Sequence, residues 1–264
     1  MSMKRILLAS LLVAIVLLPI RKAQALCLSK LPLSDNALSV SSFESYFSAL
    51  ANQASDSDQP DPEKIVYLTF DDGPDPKWTP LILEILARYH AGATFYMIGR
   101  NANTHPEIVR QVAEQNQNIA VHGYNHMDMS HIDFQTFYYE VYDSEEVIRE
   151  ALKAEPNLEA QFGKCLRPPY GRTSEYLYQN ASEMDYEVSM WHIDTKDWQQ
   201  PEPEEMLAEL LKRLEPGKVI LMHDGGEERT QTLLGLQLIL HELIMQGYQI
   251  LPYCTSEGQA TSQN

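Results

Sequence analysis

From Lys64 onward the sequence predicts an α/β domain, built either as an α/β barrel or as an open parallel sheet. Three observations carry this. Short apolar runs alternate with amphipathic helical stretches through nearly two hundred residues. With 264 residues, 44% of them hydrophobic and 22% charged, the chain can bury a sizeable core, since a domain of about 240 residues hides roughly 70% or more of its unfolded surface. Polar residues capable of chemistry gather where the apolar runs end, which is where both architectures place their sites.

The chain opens with Lys4 and Arg5, an uncharged and predominantly apolar stretch over residues 6–20, and the small-residue signal Ala23-Gln24-Ala25. Those fifteen residues fall short of the about 20 that span a bilayer. Residues 1–25 are therefore expected to be a secretory signal peptide, placing the protein outside the cell or in its envelope. Arg21 and Lys22, directly after the run, are unusual for such a peptide and leave an uncleaved anchor as the alternative; membrane association follows only in that case. Residues 26–63 read as an N-terminal extension and linker. Phe43, Tyr46, Phe47 and Leu50 fall at helical spacing, and a polar, proline-bearing segment follows over 56–62.

Within the domain, residues 65–70 predict the first strand and 79–89 a helix. A strand over 94–98, a helix over 106–115 and a strand over 118–121 follow. Residues 134–153 predict a long helix, with Phe134, Phe137, Tyr138, Val141, Ile148 and Leu152 on one face. Strands over 164–166 and 187–193 enclose a helix over 174–184. The last units are a helix over 204–214, a strand over 219–222, a helix over 230–246 carrying Leu233, Leu236, Leu240 and Leu243 on one face, and a strand over 249–252. Residues 255–264 form a small polar tail. The α/β domain is thus expected over 64–254.

The charge balance, 20 Lys+Arg against 37 Asp+Glu for a net −17, excludes the phosphate backbone of nucleic acid as a leading partner, because such binding needs clustered cations. Removing residues 1–25 takes four basic residues and no acidic ones, leaving 16 against 37 and a net −21. Cys27, Cys165 and Cys254 show no CxxC spacing; in an exported protein one structural bridge is expected, with three pairings open.

Five motifs sit at predicted strand ends. Thr69-Phe70-Asp71-Asp72-Gly73-Pro74 runs a strand into two adjacent carboxylates, which can divide labour between binding a cation and accepting a proton. His122-Gly123-Tyr124-Asn125-His126 puts two imidazoles at i and i+4, on one face of a helical turn, where both can reach one metal ion. Arg167-Pro168-Pro169-Tyr170-Gly171 is a rigid extended turn. Asp194-Thr195-Lys196-Asp197-Trp198 and Ile220-Leu221-Met222-His223-Asp224-Gly225 complete the set, the last placing a histidine straight after a buried strand, a usual place for a general acid.

In this order the five motifs resemble those of the polysaccharide deacetylase family, the NodB homology domain of carbohydrate esterase family four, over residues 64–254. The resemblance implies a distorted (β/α) barrel of about seven parallel strands and a metal-dependent hydrolase that removes acetyl groups from carbohydrate. Carried over position by position, it implies Asp72, His122 and His126 as ligands of one divalent metal ion, Zn²⁺ or another first-row metal. It implies Asp71 as catalytic base, Arg167 as the residue that orients it and holds it ionised, and His223 as general acid paired with Asp197. Trp198 and Leu221 then line the acetyl pocket, and the Tyr170 backbone N–H is the oxyanion donor. Val121 and Gly123 flank His122 where the family usually has Asn and Ser or Thr, which predicts altered hydrogen bonding around the metal ligands.

The residue types agree with that chemistry. A divalent cation lowers the pKa of a bound water towards neutrality, and an amine leaves only when protonated. The expected substrate is a polysaccharide or oligosaccharide of N-acetylglucosamine, peptidoglycan or chitin-like, with O-deacetylation of acetylated xylan as the alternative. A non-catalytic glycan-binding protein would lack a base, ligand or acid, and none is missing. No obligate protein partner is implied, and the acidic balance favours a neutral or weakly charged glycan over a strongly anionic polymer.

Overall fold

Strand β1 (Ile65–Asp71) stands in the middle of the sheet and is buried along nearly its whole length. Burial on both faces needs cover on both, which is why the segment reads as an almost continuous apolar run rather than an alternation. The computed structural model describes residues 64–153, 155–256 and 258–259. The expected signal peptide, the extension with its helical spacing, and Cys27 lie outside the described residues.

The remaining strands of the main sheet are β2 (Ala93–Met97), β3 (Asn118–Val121), β4 (Phe162–Leu166), β5 (Glu187–Val188), β6 (Ile193–Asp194), β7 (Val219–His223) and β8 (Gln249–Pro252). Seven of the eight run β5-β4-β3-β2-β1-β7-β6, all pairs parallel, and curl into a half-barrel. Strand β8 lies against the first half of β1, Ile65 to Leu68, while β2 pairs with the second half, Leu68 to Asp71. The expected distorted (β/α) barrel of about seven parallel strands is therefore the observed fold.

One predicted strand is corrected. Residues 187–193 are two strands, not one. Strand β5 pairs with β4 at one edge of the sheet, and β6 pairs with β7 at the other. The segment between them crosses from edge to edge: Ser189 N–H donates to Leu166 O at 2.8 Å and His192 N–H to Val219 O at 2.9 Å. The barrel is thus closed by the chain itself rather than by a strand pair. The polar tail is corrected too, because Cys254–Thr255 (β9) pairs antiparallel with Gly258–Gln259 (β10).

Helices α1 (Trp78–Tyr89), α2 (Gly99–Thr104), α3 (Pro106–Glu114), α4 (Phe134–Leu152), α5 (Glu175–Glu183), α6 (Pro203–Leu211) and α7 (Thr230–Met245) cover the outer face. Six were expected within a few residues; the short polar α2 was not. Asp133 caps α4, its Oδ1 accepting from Thr136 N–H at 3.0 Å, and Ser174 Oγ accepts from Leu177 N–H at 3.0 Å to cap α5. Leu236, Leu240 and Leu243 of α7 are fully buried as the spacing predicts, each worth about 1.5–3 kcal/mol of burial. On α4 the buried stripe is shifted. Phe137, Val141, Ile148 and Leu152 are inside, together with Glu140 and Ser144, whereas Phe134 and Tyr138 are exposed. Tyr138 instead stacks on Tyr142 at 5.2 Å.

Inside the barrel, Cys165 on β4 and Cys254 form a disulfide that closes a separation of 89 residues and settles the pairing left open by the sequence. It packs with Tyr96 and Ala120 as a small cluster of its own beneath the site. Among the described residues no helix is long and apolar enough to cross a membrane.

Candidate active site

The β1 end delivers Asp71 and Asp72 on opposite sides of one backbone turn. Asp71 is buried and points at Arg167, whose Nη1 donates to Asp71 Oδ1 at 2.8 Å. Arg167 follows β4 and has no exposed surface. The same Nη1 reaches Thr69 Oγ1 at 2.8 Å, Nε points to Ser189 O at 3.4 Å, and the Tyr96 ring lies 4.0 Å from the guanidinium carbon. The guanidinium is held from several sides, which fixes the carboxylate it grips.

Asp72 has a positive φ of 77° and turns towards the two histidines. Its Oδ1 lies 3.4 Å from His122 Nε2 and 3.1 Å from His126 Nε2, and it is buried without a hydrogen-bond partner. His122 Nδ1 donates to Arg167 O at 2.7 Å, which leaves the Nε2 lone pair facing the carboxylate. Lone pairs converging on a carboxylate repel unless a cation or proton sits among them, and the three ligand atoms lie within 4.8 Å of one another. The donor set of two imidazoles and one carboxylate fits a divalent first-row ion. Burial by itself pushes the Asp72 carboxyl up, but His122 and His126 outweigh it and hold it well below the usual carboxylate range. For His122, burial pulls down and the Asp71 and Asp72 carboxylates prevail, raising it.

The two histidines stand on an irregular loop rather than the expected helical turn, with Gly123 at φ 75° and His126 at φ 58°, and that loop is built around a residue that the motifs did not single out. The buried Glu140 carboxylate of α4 accepts Tyr124 N–H and Asn125 N–H at 2.8 Å each on Oε2, and Asn125 Nδ2 at 2.6 Å on Oε1. Gly123 has φ 75°, and a Cβ there would stand 3.2 Å from Glu140 Oε2. The departure from Ser or Thr after His122 is thus matched by a local solution in which Glu140 binds the turn. The sequence did not mark it, because at about 3.6 residues per turn it falls beside the face that Phe134, Phe137, Tyr138, Val141, Ile148 and Leu152 define.

Across the site, His223 ends β7, and its Nδ1 donates to Asp197 Oδ1 at 2.8 Å. Asp197 is fully buried; Thr232 of α7 also donates to its Oδ2, at 3.0 Å. Burial pulls the imidazole down, but the Asp197 hydrogen bond and charge, helped by Asp71 and Asp72, raise it to about 9. Next to it, the Asp224 carboxyl is pushed up to about 7 by burial, with the Asp72 and Asp71 charges adding, while Thr79 and the Gly73 N–H oppose the shift. Asp224 ties β7 to the turn after Asp72: its Oδ1 accepts Gly73 N–H at 3.1 Å and its Oδ2 the Thr79 hydroxyl at 2.5 Å.

Tyr170, 63% exposed with φ 62°, sets its ring edge on His126 at 4.7 Å. Its backbone N–H donates to no group among the described residues, whereas those of Gly171 and Arg172 bond to Pro168 O and Pro169 O. Leu221 is buried on β7 two positions before His223, and Trp198 is half exposed directly after Asp197. All ten residues expected at the site thus stand at the carboxyl-end side of the barrel strands or in the loops that follow them.

A buried base candidate, a partly exposed acid candidate and a ligand trio between them define a hydrolase of the (β/α) barrel class. The chain belongs to the polysaccharide deacetylase family, whose model matches residues 58–189, and it is a polysaccharide N-deacetylase. It is 36% identical over 194 residues to a peptidoglycan-N-acetylglucosamine deacetylase of Bacillus cereus, covering 73% of this chain and 87% of that one. It is 31% identical to a chitooligosaccharide deacetylase of Bradyrhizobium sp., covering 71% and 88%. The solved structure of the Bc1960 peptidoglycan N-acetylglucosamine deacetylase superposes with a TM-score of 0.67 at 29% identity, covering 74% of this chain and 88% of that one.

Proposed function

We propose that the protein removes N-acetyl groups from N-acetylglucosamine residues of a peptidoglycan or chitin-like glycan, working outside the cytoplasm after export through residues 1–25. Asp72, His122 and His126 hold the divalent ion, Zn²⁺ or another first-row metal, which when bound supplies an acidified water and polarises the acetyl carbonyl. Asp71 accepts the proton of the attacking water, and Arg167 keeps its carboxylate aimed. The Tyr170 N–H donates to the developing oxyanion, a contact typically worth about 2.7–4 kcal/mol of barrier. The protonated His223 gives its proton to the departing nitrogen, and acetate and the free amine of the sugar are the products. Leu221 and Trp198 border the acetyl methyl.

The observation that carries this reading is the pairing on each side of the trio, Asp71 with Arg167 at 2.8 Å and His223 with Asp197 at 2.8 Å. An ester expels an alkoxide, a far weaker base than the amide anion that unassisted C–N cleavage would expel, so the amine depends more on a proton, and a histidine held charged by a buried carboxylate supplies one. This favours the amide over acetylated xylan. Acetate release from N-acetylglucosamine oligomers and from acetylxylan, measured in parallel, tests it: faster release from the oligomers is expected, and release from acetylxylan alone overturns the N-deacetylase assignment.

A further inference from the structure

We propose that the cleft beside the ligand trio reads a carboxylate on the sugar next to the one being deacetylated, and that Arg100 is the residue that reads it. The inference rests on the deacetylase reading above. The cleft encloses about 390 Å³, shares Asp72 and His126 with the trio, and is lined further by Asp75, Arg100, Asn101 and Gly226. Its volume lies within the range of small-ligand sites. With the acetyl group of the reacting sugar at the trio, a contiguous cleft receives a group from the neighbouring unit.

Arg100 is carried on the same backbone unit as the metal-site loop. Gly99 N–H donates to Gly123 O at 2.9 Å and Arg100 N–H to Tyr124 O at 3.1 Å. Its guanidinium is exposed and, among the described residues, makes no ion pair or hydrogen bond. By contrast, Arg149, Arg167 and Arg172 are each paired with a carboxylate at 2.7 to 2.8 Å. Beneath the cleft stands a second arginine without a carboxylate. Arg229 is buried, its Nε donates to Gly225 O at 2.8 Å, and its Nη1 has no partner. A Cβ on Gly226 would come within 3.1 Å of Arg229 Nη2. Arg229 lies behind Gly226 rather than in the lining, so Arg100 supplies the guanidinium that the cleft itself presents.

The acidic groups there are already engaged. Asp75 Oδ1 accepts Lys77 N–H at 2.8 Å and Trp78 N–H at 3.0 Å, Asp72 faces the histidines, and Glu107 lies 3.4 Å from His105. One exposed guanidinium therefore remains, with a buried positive charge behind it. A guanidinium binds a carboxylate through two parallel N–H donors, giving direction as well as attraction. The ligand class is a β-linked hexosamine chain in which the flanking unit bears a lactyl ether, as N-acetylmuramic acid does. A chain of N-acetylglucosamine alone lacks the group.

The test compares acetate release from three oligosaccharides of equal length: all N-acetylglucosamine; N-acetylglucosamine alternating with N-acetylmuramic acid; and the methyl ester of the second. Wild type is expected to show kcat/KM at least about tenfold higher on the free acid than on its ester, through KM, which is the size of one charge-assisted contact. Arg100→Ala, on an exposed side chain outside the catalytic machinery, is expected to abolish that difference and leave the all-N-acetylglucosamine rate unchanged. Equal wild-type rates on acid and ester, or an Arg100→Ala that slows all three alike, overturn the proposal and leave the deacetylase reading standing. No acetate from any of the three overturns both.

Discussion

Asp197 grips His223 twice: Oδ1 takes the imidazole Nδ1–H at 2.8 Å, and Oδ2 takes the backbone N–H of the same residue at 2.9 Å. Ring and main chain are fixed by one carboxylate, itself held by Thr232. The ring presents Nε2 to the site and is raised to about 9 against the burial that would lower it.

A first prediction concerns pH. An acid must be protonated to act, so kcat/KM falls as pH rises through its pKa. Asp197→Asn removes the charge that raises His223, and the alkaline limb is expected to move down by more than one pH unit. A cation at the ligand trio lowers the limb in both proteins, so the difference between them is the quantity to measure. A limb that stays in place would remove Asp197 from the acid's pairing. The same shift affects stability: a folded pKa raised from about 6.5 contributes in full below pH 6.5 and is lost as pH rises through about 9.

Glu140 predicts metal affinity. Its two oxygens bind three donors of the loop that joins His122 to His126. Glu140→Leu is expected to weaken Zn²⁺ binding by about 10–100-fold, the usual effect of losing a group that orients metal ligands. Glu140→Gln keeps one acceptor for the two N–H groups, and the Asn125 amide can turn to meet its NH₂, so affinity within a few-fold of wild type is expected. Calorimetric Zn²⁺ titration measures both; an unchanged Leu variant would show that the loop holds its shape without Glu140.

The disulfide predicts stability. Cys165 and Cys254 close a separation of 89 residues, and replacing both with Ala is expected to cost about 2–4 kcal/mol. Denaturant unfolding of the variant, and of wild type with and without reductant, measures this. Equal midpoints in all three would contradict a stabilising role.

The sequence made the strand ends legible because chemistry constrains them in short contiguous runs, Thr69 to Pro74 and Leu221 to Asp224 among them. It hid what depends on closure in space. The segment 187–193 keeps a strand-like pattern while crossing from one edge of the barrel to the other, because each end still bonds to a neighbouring strand. Helix α2 has little apolar face to announce it; only Gly99 and Ala102 are buried. Glu140 lay beside the face read as apolar, and its purpose appears only when the turn after His122 is packed against it. Arg229, just before α7 and outside every motif, is buried, and nothing in the sequence marked it.

Asp71, whose Oδ2 lies 3.8 Å from His122 Nε2, is the base in this reading and is not one of the three ligands. Asp71→Asn keeps an oxygen for the Arg167 Nη1 contact and leaves Asp72, His122 and His126 unchanged. Acetate release from an N-acetylglucosamine oligomer by this variant, measured beside its Zn²⁺ affinity, is the most direct test. A fall of about 10²–10⁴-fold in kcat with Zn²⁺ binding preserved is predicted, the contribution expected of a positioned base. Turnover within about threefold of wild type, far short of the about 10²-fold that a general base contributes at least, would contradict it.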